Sequence, residues 1–185
     1  MDFVVDRGSR GMTAIEPAET TNLDRYGSDA VEWSRARDLL ESNPADVDTP
    51  YFLGTVRPDG RPHSAGIGAL WVDGDVYIVS GPQTRKSRNL ADNPACTISA
   101  SLPGMDVILE GDAARVTDAE TLERLAARYR ERGWPAEVDG DAFTAPYSAP
   151  SAGPPPWHLY RVEVHAAFAV ASAEPHGATR WRFER

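Results

Sequence analysis

The chain has 185 residues, 41% of them apolar, a formal net charge of −9 and a single cysteine. That much apolar sequence supports one domain with its own core and excludes a wholly disordered chain. One cysteine excludes an intrachain disulfide and an all-cysteine metal cage, and the acidic balance argues against nucleic acid or an anionic membrane as partner.

Residues 1–27 lack periodicity and read as an N-terminal arm, with residues 28–185 as the folded domain. Met1 to Arg10 holds acids and bases but no long apolar run, and no stretch approaches the ~20 apolar residues that cross a bilayer. A soluble, cytoplasmic protein is expected. A first helix is predicted from Ser28, a good N-cap, through Trp33, Ala36 and Leu40 at helical spacing, to a stop at Asn43-Pro44.

Three strands follow, at 51–56, 63–72 and 76–80. The turns between them, Arg57-Pro58-Asp59-Gly60 and Asp73-Gly74, predict an antiparallel meander. After a loop at 81–84, Thr84 can cap a short helix that Asn93-Pro94 must end. Strands at 95–101 and 105–116 are split by Pro103-Gly104. Val107-Ile108-Leu109 reads as buried on both faces, and Gly111 as the mark of a bulge.

Thr117-Asp118-Ala119-Glu120 has the capping-box pattern, and Leu122, Leu125, Ala126 and Tyr129 form one helical stripe. Residues 133–156 hold six prolines and predict a long loop, a substrate lid or a plain connector. Strands at 157–164, 166–171 and 178–183 complete the set. Some seven short strands with two or three helices predict a mainly β fold, an antiparallel barrel of six or seven strands in Greek-key order.

His63, His158, His165 and His176 show neither HExxH spacing nor cysteine companions, so no metal site is expected. Gly66-Ile67-Gly68 lacks the third glycine of a dinucleotide fingerprint and sits inside a hairpin. Two features carry a positive signal. Arg85-Lys86-Ser87-Arg88 places three cations at the start of a helix in an acidic protein. They are either a solvated charge run or a phosphate site built on the helix N-terminus. The small residues of Ser64-Ala65-Gly66-Ile67-Gly68-Ala69 let a flat ligand approach the backbone, or else relieve crowding against a helix or a second subunit.

The run from Tyr51 through Gly60 to Pro62, then Ser80, Arg85-Lys86-Ser87-Arg88-Asn89-Leu90, Asn93-Pro94 and the closing Thr179-Arg180-Trp181-Arg182-Phe183, resembles the pyridoxamine 5'-phosphate oxidase-like family of flavin-binding split barrels. The resemblance implies a six-stranded split β-barrel that forms a homodimer, with the cofactor at the subunit interface. It also implies phosphate contacts from Thr84, Arg85 and Lys86, with Arg88 in the same basic run. Ala65, Gly66, Ile67, Gly68, Ala69 and Leu70 would lie along the flavin ring, and Ser80 and Asp106 would be further contacts.

The chain has Ala65 where pyridoxamine phosphate oxidases carry a base, and it lacks their Arg-Leu-His-Asp-Arg segment. These departures lead away from the vitamin B6 reaction and toward the branch that uses the deazaflavin F420, with FMN as the other cofactor. The activity implied is an oxidoreductase transferring hydride to or from a small molecule. No side chain stands out as its acid or base. The alternatives are a carrier that binds the cofactor without turnover, and a haem-handling split barrel with His63 or His158 as axial ligand.

Overall fold

The computed structural model describes residues 15–46, 48–147 and 152–184. In chain order the elements are β1 (Glu19–Asn22), α1 (Trp33–Ser42), β2 (Tyr51–Val56), β3 (Pro62–Ile67), β4 (Ala69–Val72), β5 (Asp75–Ser80), α2 (Arg85–Asp92), β6 (Ala95–Leu102), β7 (Met105–Val116), α3 (Ala119–Glu131), β8 (Glu137–Asp139), β9 (Ala142–Thr144), β10 (His158–Ala171) and β11 (Gly177–Arg182).

The strands form an antiparallel ring. β2 pairs with β3 and β6, β6 with β7, β7 with β10, β10 with β5, and β5 with β4. Because β3 runs into β4 across Gly68 alone, the ring closes as a six-stranded barrel. The predicted strand at 63–72 is therefore interrupted at Gly68, where its pairing partner changes from β2 to β5. Asp73 (φ 54°) and Gly74 (φ 83°) make the tight turn into β5, the geometry that suits a two-residue hairpin.

Alternation along each strand sends one set of side chains inward. Leu53, Ile78, Ile98, Val107, Leu109 and Val164 fill the interior. α1 closes one side of it, where Trp33 meets Trp181 and Phe183 at centroid distances of 5.3 and 4.8 Å. A second core, under α3, joins Leu122, Leu125, Ala126 and Tyr129 to Phe143, Trp157 and Leu159.

Several expectations need correction. The first helix starts at Trp33, because residues 24–31 are held in other bonds. The Asp24 carboxylate accepts from the Tyr26 and Ser28 amides, and the Val31 amide donates to Thr179 Oγ1. Within the expected arm, β1 pairs with β11. Ile108 is 43% exposed while Val107 and Leu109 are buried, so β7 alternates instead of burying both faces.

The bulge lies opposite Gly111, in β10 between Val164 and Ala166, making one irregular strand of two predicted ones. A Cβ on Gly111 would collide with the Glu163 carbonyl there. Asp118, not Thr117, caps α3, its carboxylate accepting from the Thr121 amide. The predicted loop contains the β8–β9 hairpin, and Phe143 in it exchanges backbone hydrogen bonds of 2.7 and 2.8 Å with Trp157. No helix among the described residues is long and apolar enough to cross a membrane.

Candidate functional site

β5 delivers Ser80 to the foot of α2. Thr84 caps the helix as expected, its Oγ1 accepting from the Ser87 amide at 3.3 Å. Three hydroxyls gather under the first turn: Ser87 Oγ donates to Ser80 Oγ at 2.9 Å, and Ser80 and Thr84 share a hydrogen bond of 2.8 Å. The loop before the helix is fixed as well. The Gly81 amide donates to the Ala152 carbonyl at 3.1 Å, which leaves no room for a side chain at Gly81.

Lys86 is only 4% exposed. Burial holds its ammonium below the usual lysine pKa, because the charged form loses hydration. Arg85 and Arg88 are exposed. On the next turn Asn89 Nδ2 donates to Thr55 Oγ1 at 2.9 Å, pinning α2 to β2. Asn89 Oδ1 is buried without a hydrogen-bond partner among the described residues.

His63, opposite Thr55 on β3, has its imidazole pKa lowered by burial first, then by Arg57, Arg85 and Lys86. Those three cations are therefore close enough to act on His63, and the β2–β3 hairpin and the start of α2 add positive charge to the same region. Sequence reasoning names Ser80, Thr84, Arg85 and Lys86 as contacts and His63 only as a haem ligand, and it misses Arg57, Ser87 and Asn89. Their side chains meet only once the hairpin and helix pack.

The small-residue strand runs away from this cluster. Ile67 and Ala69 point into the barrel core and Leu70 into the α3 core. Gly66 and Gly68 are exposed, and a Cβ on either would meet nothing within 4 Å. Crowding within the chain therefore does not explain those glycines, and the space over them is open. Asp106, which accepts from Ser101 Oγ at 2.6 Å, stands apart. It lies five residues from Gly111, roughly 16 Å along β7, and does not join the α2 cluster within one chain.

Two further surfaces border this strand. Val79, Gly68, Tyr129, Arg132, Trp134 and Trp157 are among the residues lining a cavity of about 320 Å³. On the barrel's outer face, Phe52 stands beside Ser99, Ser99 beside Ile108, and Ile108 beside Phe168. Phe52 and Ile108 are each more than two-fifths exposed there, and Val170 more than half. Among the described residues no group of three or more His, Cys, Asp or Glu could hold a metal ion.

Residues 35–171 match the family model for pyridoxamine 5'-phosphate oxidase. No curated protein matches the chain. Solved structures share the fold. General Stress Protein 26 from Bacillus anthracis is 15% identical, with a TM-score of 0.55 over 83% of this chain and 100% of its own. A NimC/NimA family protein from Clostridium acetobutylicum is 17% identical, with a TM-score of 0.53 over 80% and 91%. A FAD-binding protein from Mesorhizobium loti is 15% identical, with a TM-score of 0.52 over 81% and 94%.

Proposed function

Because the chain belongs to the pyridoxamine 5'-phosphate oxidase family, we propose that it is a cytoplasmic oxidoreductase that binds F420 or FMN. One observation carries this reading: a buried lysine in the helix turn that stands on the Ser80–Thr84–Ser87 hydroxyl cluster, acting with Arg57 and Arg85 on His63, which lies on the strand whose Gly66 faces open space. A cofactor with an anionic tail and a flat ring system matches both halves of that arrangement. The tail would take charge-assisted hydrogen bonds from Lys86, Arg85 and Thr84 at the start of α2. The ring would lie along Ala65 to Leu70, where Gly66 and Gly68 let it reach the backbone. When bound, the cofactor supplies the hydride chemistry, while the protein supplies position and electrostatics.

The working unit in this reading is a homodimer, with the exposed apolar row of Phe52, Ile108 and Val170 as its contact. Asp106, distant from α2 in its own chain, would then reach a cofactor only across that interface. Ala65 offers no charge where the pyridoxamine phosphate oxidases have a base. The substrate is therefore a small molecule other than the vitamin B6 phosphate.

The test is a side-by-side titration of F420 and FMN onto the purified protein, followed by absorbance and then by reduction assays. One cofactor should bind per chain and turn over with an electron acceptor. A Soret band in the purified protein would replace this reading with the haem one. Binding without turnover would make the protein a carrier, and no binding of either cofactor would remove the redox reading.

A further inference from the structure

We propose that the aromatic cavity where Tyr129, Trp134 and Trp157 face Gly68, Leu70 and Val79 is a binding pocket for a small planar aromatic anion, an aryl carboxylate by chemical class. This rests on the redox reading, since it makes that molecule the substrate.

Position is the first argument. Ala69 pairs with Ile78, which sets Gly68 beside Val79. Val79 lines the cavity, while the next residue, Ser80, turns to the hydroxyl cluster under α2. Successive side chains of β5 thus serve the two sites from opposite faces. A flat cofactor along residues 65–70 would pass the cavity at Gly68.

The walls are the second argument. Trp134 is wedged among Tyr129, Trp157 and Phe143 at centroid distances of 4.9, 5.5 and 6.0 Å. Two of these rings turn their polar tips to backbone: Trp157 Nε1 donates to the Gly153 carbonyl at 2.9 Å, and the Tyr129 hydroxyl reaches the Tyr77 carbonyl at 3.4 Å. What remains for a ligand is fixed aromatic surface, which favours another ring stacked or edge-on. A volume of about 320 Å³ is some ten times a water's share of about 30 Å³. It is thus too large for a packing fault and within the ~300–1,000 Å³ range of small-molecule pockets.

Charge is the third. Arg132, exposed at the C-terminal cap of α3, is the one ionic side chain among the described residues lining the cavity. An apolar ligand with an anionic end fits such a lining; a cation does not.

The probe is 2-naphthoate, titrated onto the full chain with and without bound cofactor and followed by tryptophan fluorescence and equilibrium dialysis. One molecule should bind per chain, with half-saturation below about 1 mM. Arg132→Gln should weaken naphthoate about two- to fivefold, and leave the uncharged 2-naphthalenemethanol unchanged. Trp134→Leu should weaken both, with thermal unfolding showing that the variant is folded.

Absence of saturable binding, or equal affinity in wild type and both variants, overturns the proposal. So does displacement of naphthoate by the cofactor, which would assign the cavity to the cofactor ring. If naphthoate binds as described but neither F420 nor FMN does, the aryl-anion site stands and its role as a substrate pocket falls with the redox reading.

Discussion

Lys86 joins fold to function through the cost of burying its charge. Desolvation lowers its pKa, and an anion bound nearby would raise it again by favouring the charged form. Once the ligand's own groups are ionised, cofactor affinity should hold steady with pH. It should then fall as pH climbs through the lowered lysine pKa, below the usual value of about 10.4. Lys86→Met should reduce affinity ~10- to 100-fold, the worth of a hydrogen bond to a charged group. It should also flatten that pH profile, as calorimetric titration over a pH series would show. Cys96 makes a separate prediction. Burial, with Asp112 adding to it, pushes its thiol up to about 12, so the fold favours the protonated form. The stability this contributes is complete below the unfolded thiol's pKa of about 8.5 and is lost as pH rises from there toward about 12. Denaturant midpoints of the wild type should therefore decline between about pH 8.5 and 10, and Cys96→Ala should decline less.

Two glycines on different strands of the barrel have opposite roles. Gly111 on β7 faces the Glu163 carbonyl at the bulge of β10, so Gly111→Ala must displace backbone. A loss of about 1–3 kcal/mol is expected from the denaturant midpoint. Gly66 on β3 faces open space, so Gly66→Ala should fold as the wild type does and show its effect only in cofactor affinity. Both glycines are visible in the sequence, yet their difference is not, because it depends on which carbonyl approaches across the sheet. The same limit explains what the sequence reveals of the other elements. β2, β5, α2 and the stripe of α3 were legible because turn residues, caps and periodicity are local signals. β1 and the β8–β9 hairpin were not, since strands of three or four residues are too short to show a period. At the site, Thr84, Arg85 and Lys86 were legible as a cationic helix start. Arg57 and His63 were not, because the β2–β3 turn brings them to α2 from 20 or more positions away in sequence.

For the whole molecule, the outer apolar face carries the dimer prediction. Phe52 and Ile108 are exposed on either side of Ser99 in one cross-strand row, so Phe52→Asp or Ile108→Asp should leave each barrel intact. Sedimentation should show the wild type as a dimer and these variants as monomers with weakened cofactor binding. A wild-type monomer that binds cofactor fully would refute the two-chain site. The pairing of β1 with β11 has a consequence for biosynthesis. Glu19 sits against Arg182, and the Val31 amide waits on Thr179 Oγ1. A nascent chain can assemble local hairpins as it emerges, but it cannot seal this edge until residue 182 has left the ribosome. Until then Trp33 lacks Trp181 and Phe183. The face of Trp33 that they cover stays open while the residues between 33 and 181 are made, the interval in which a chaperone would find it.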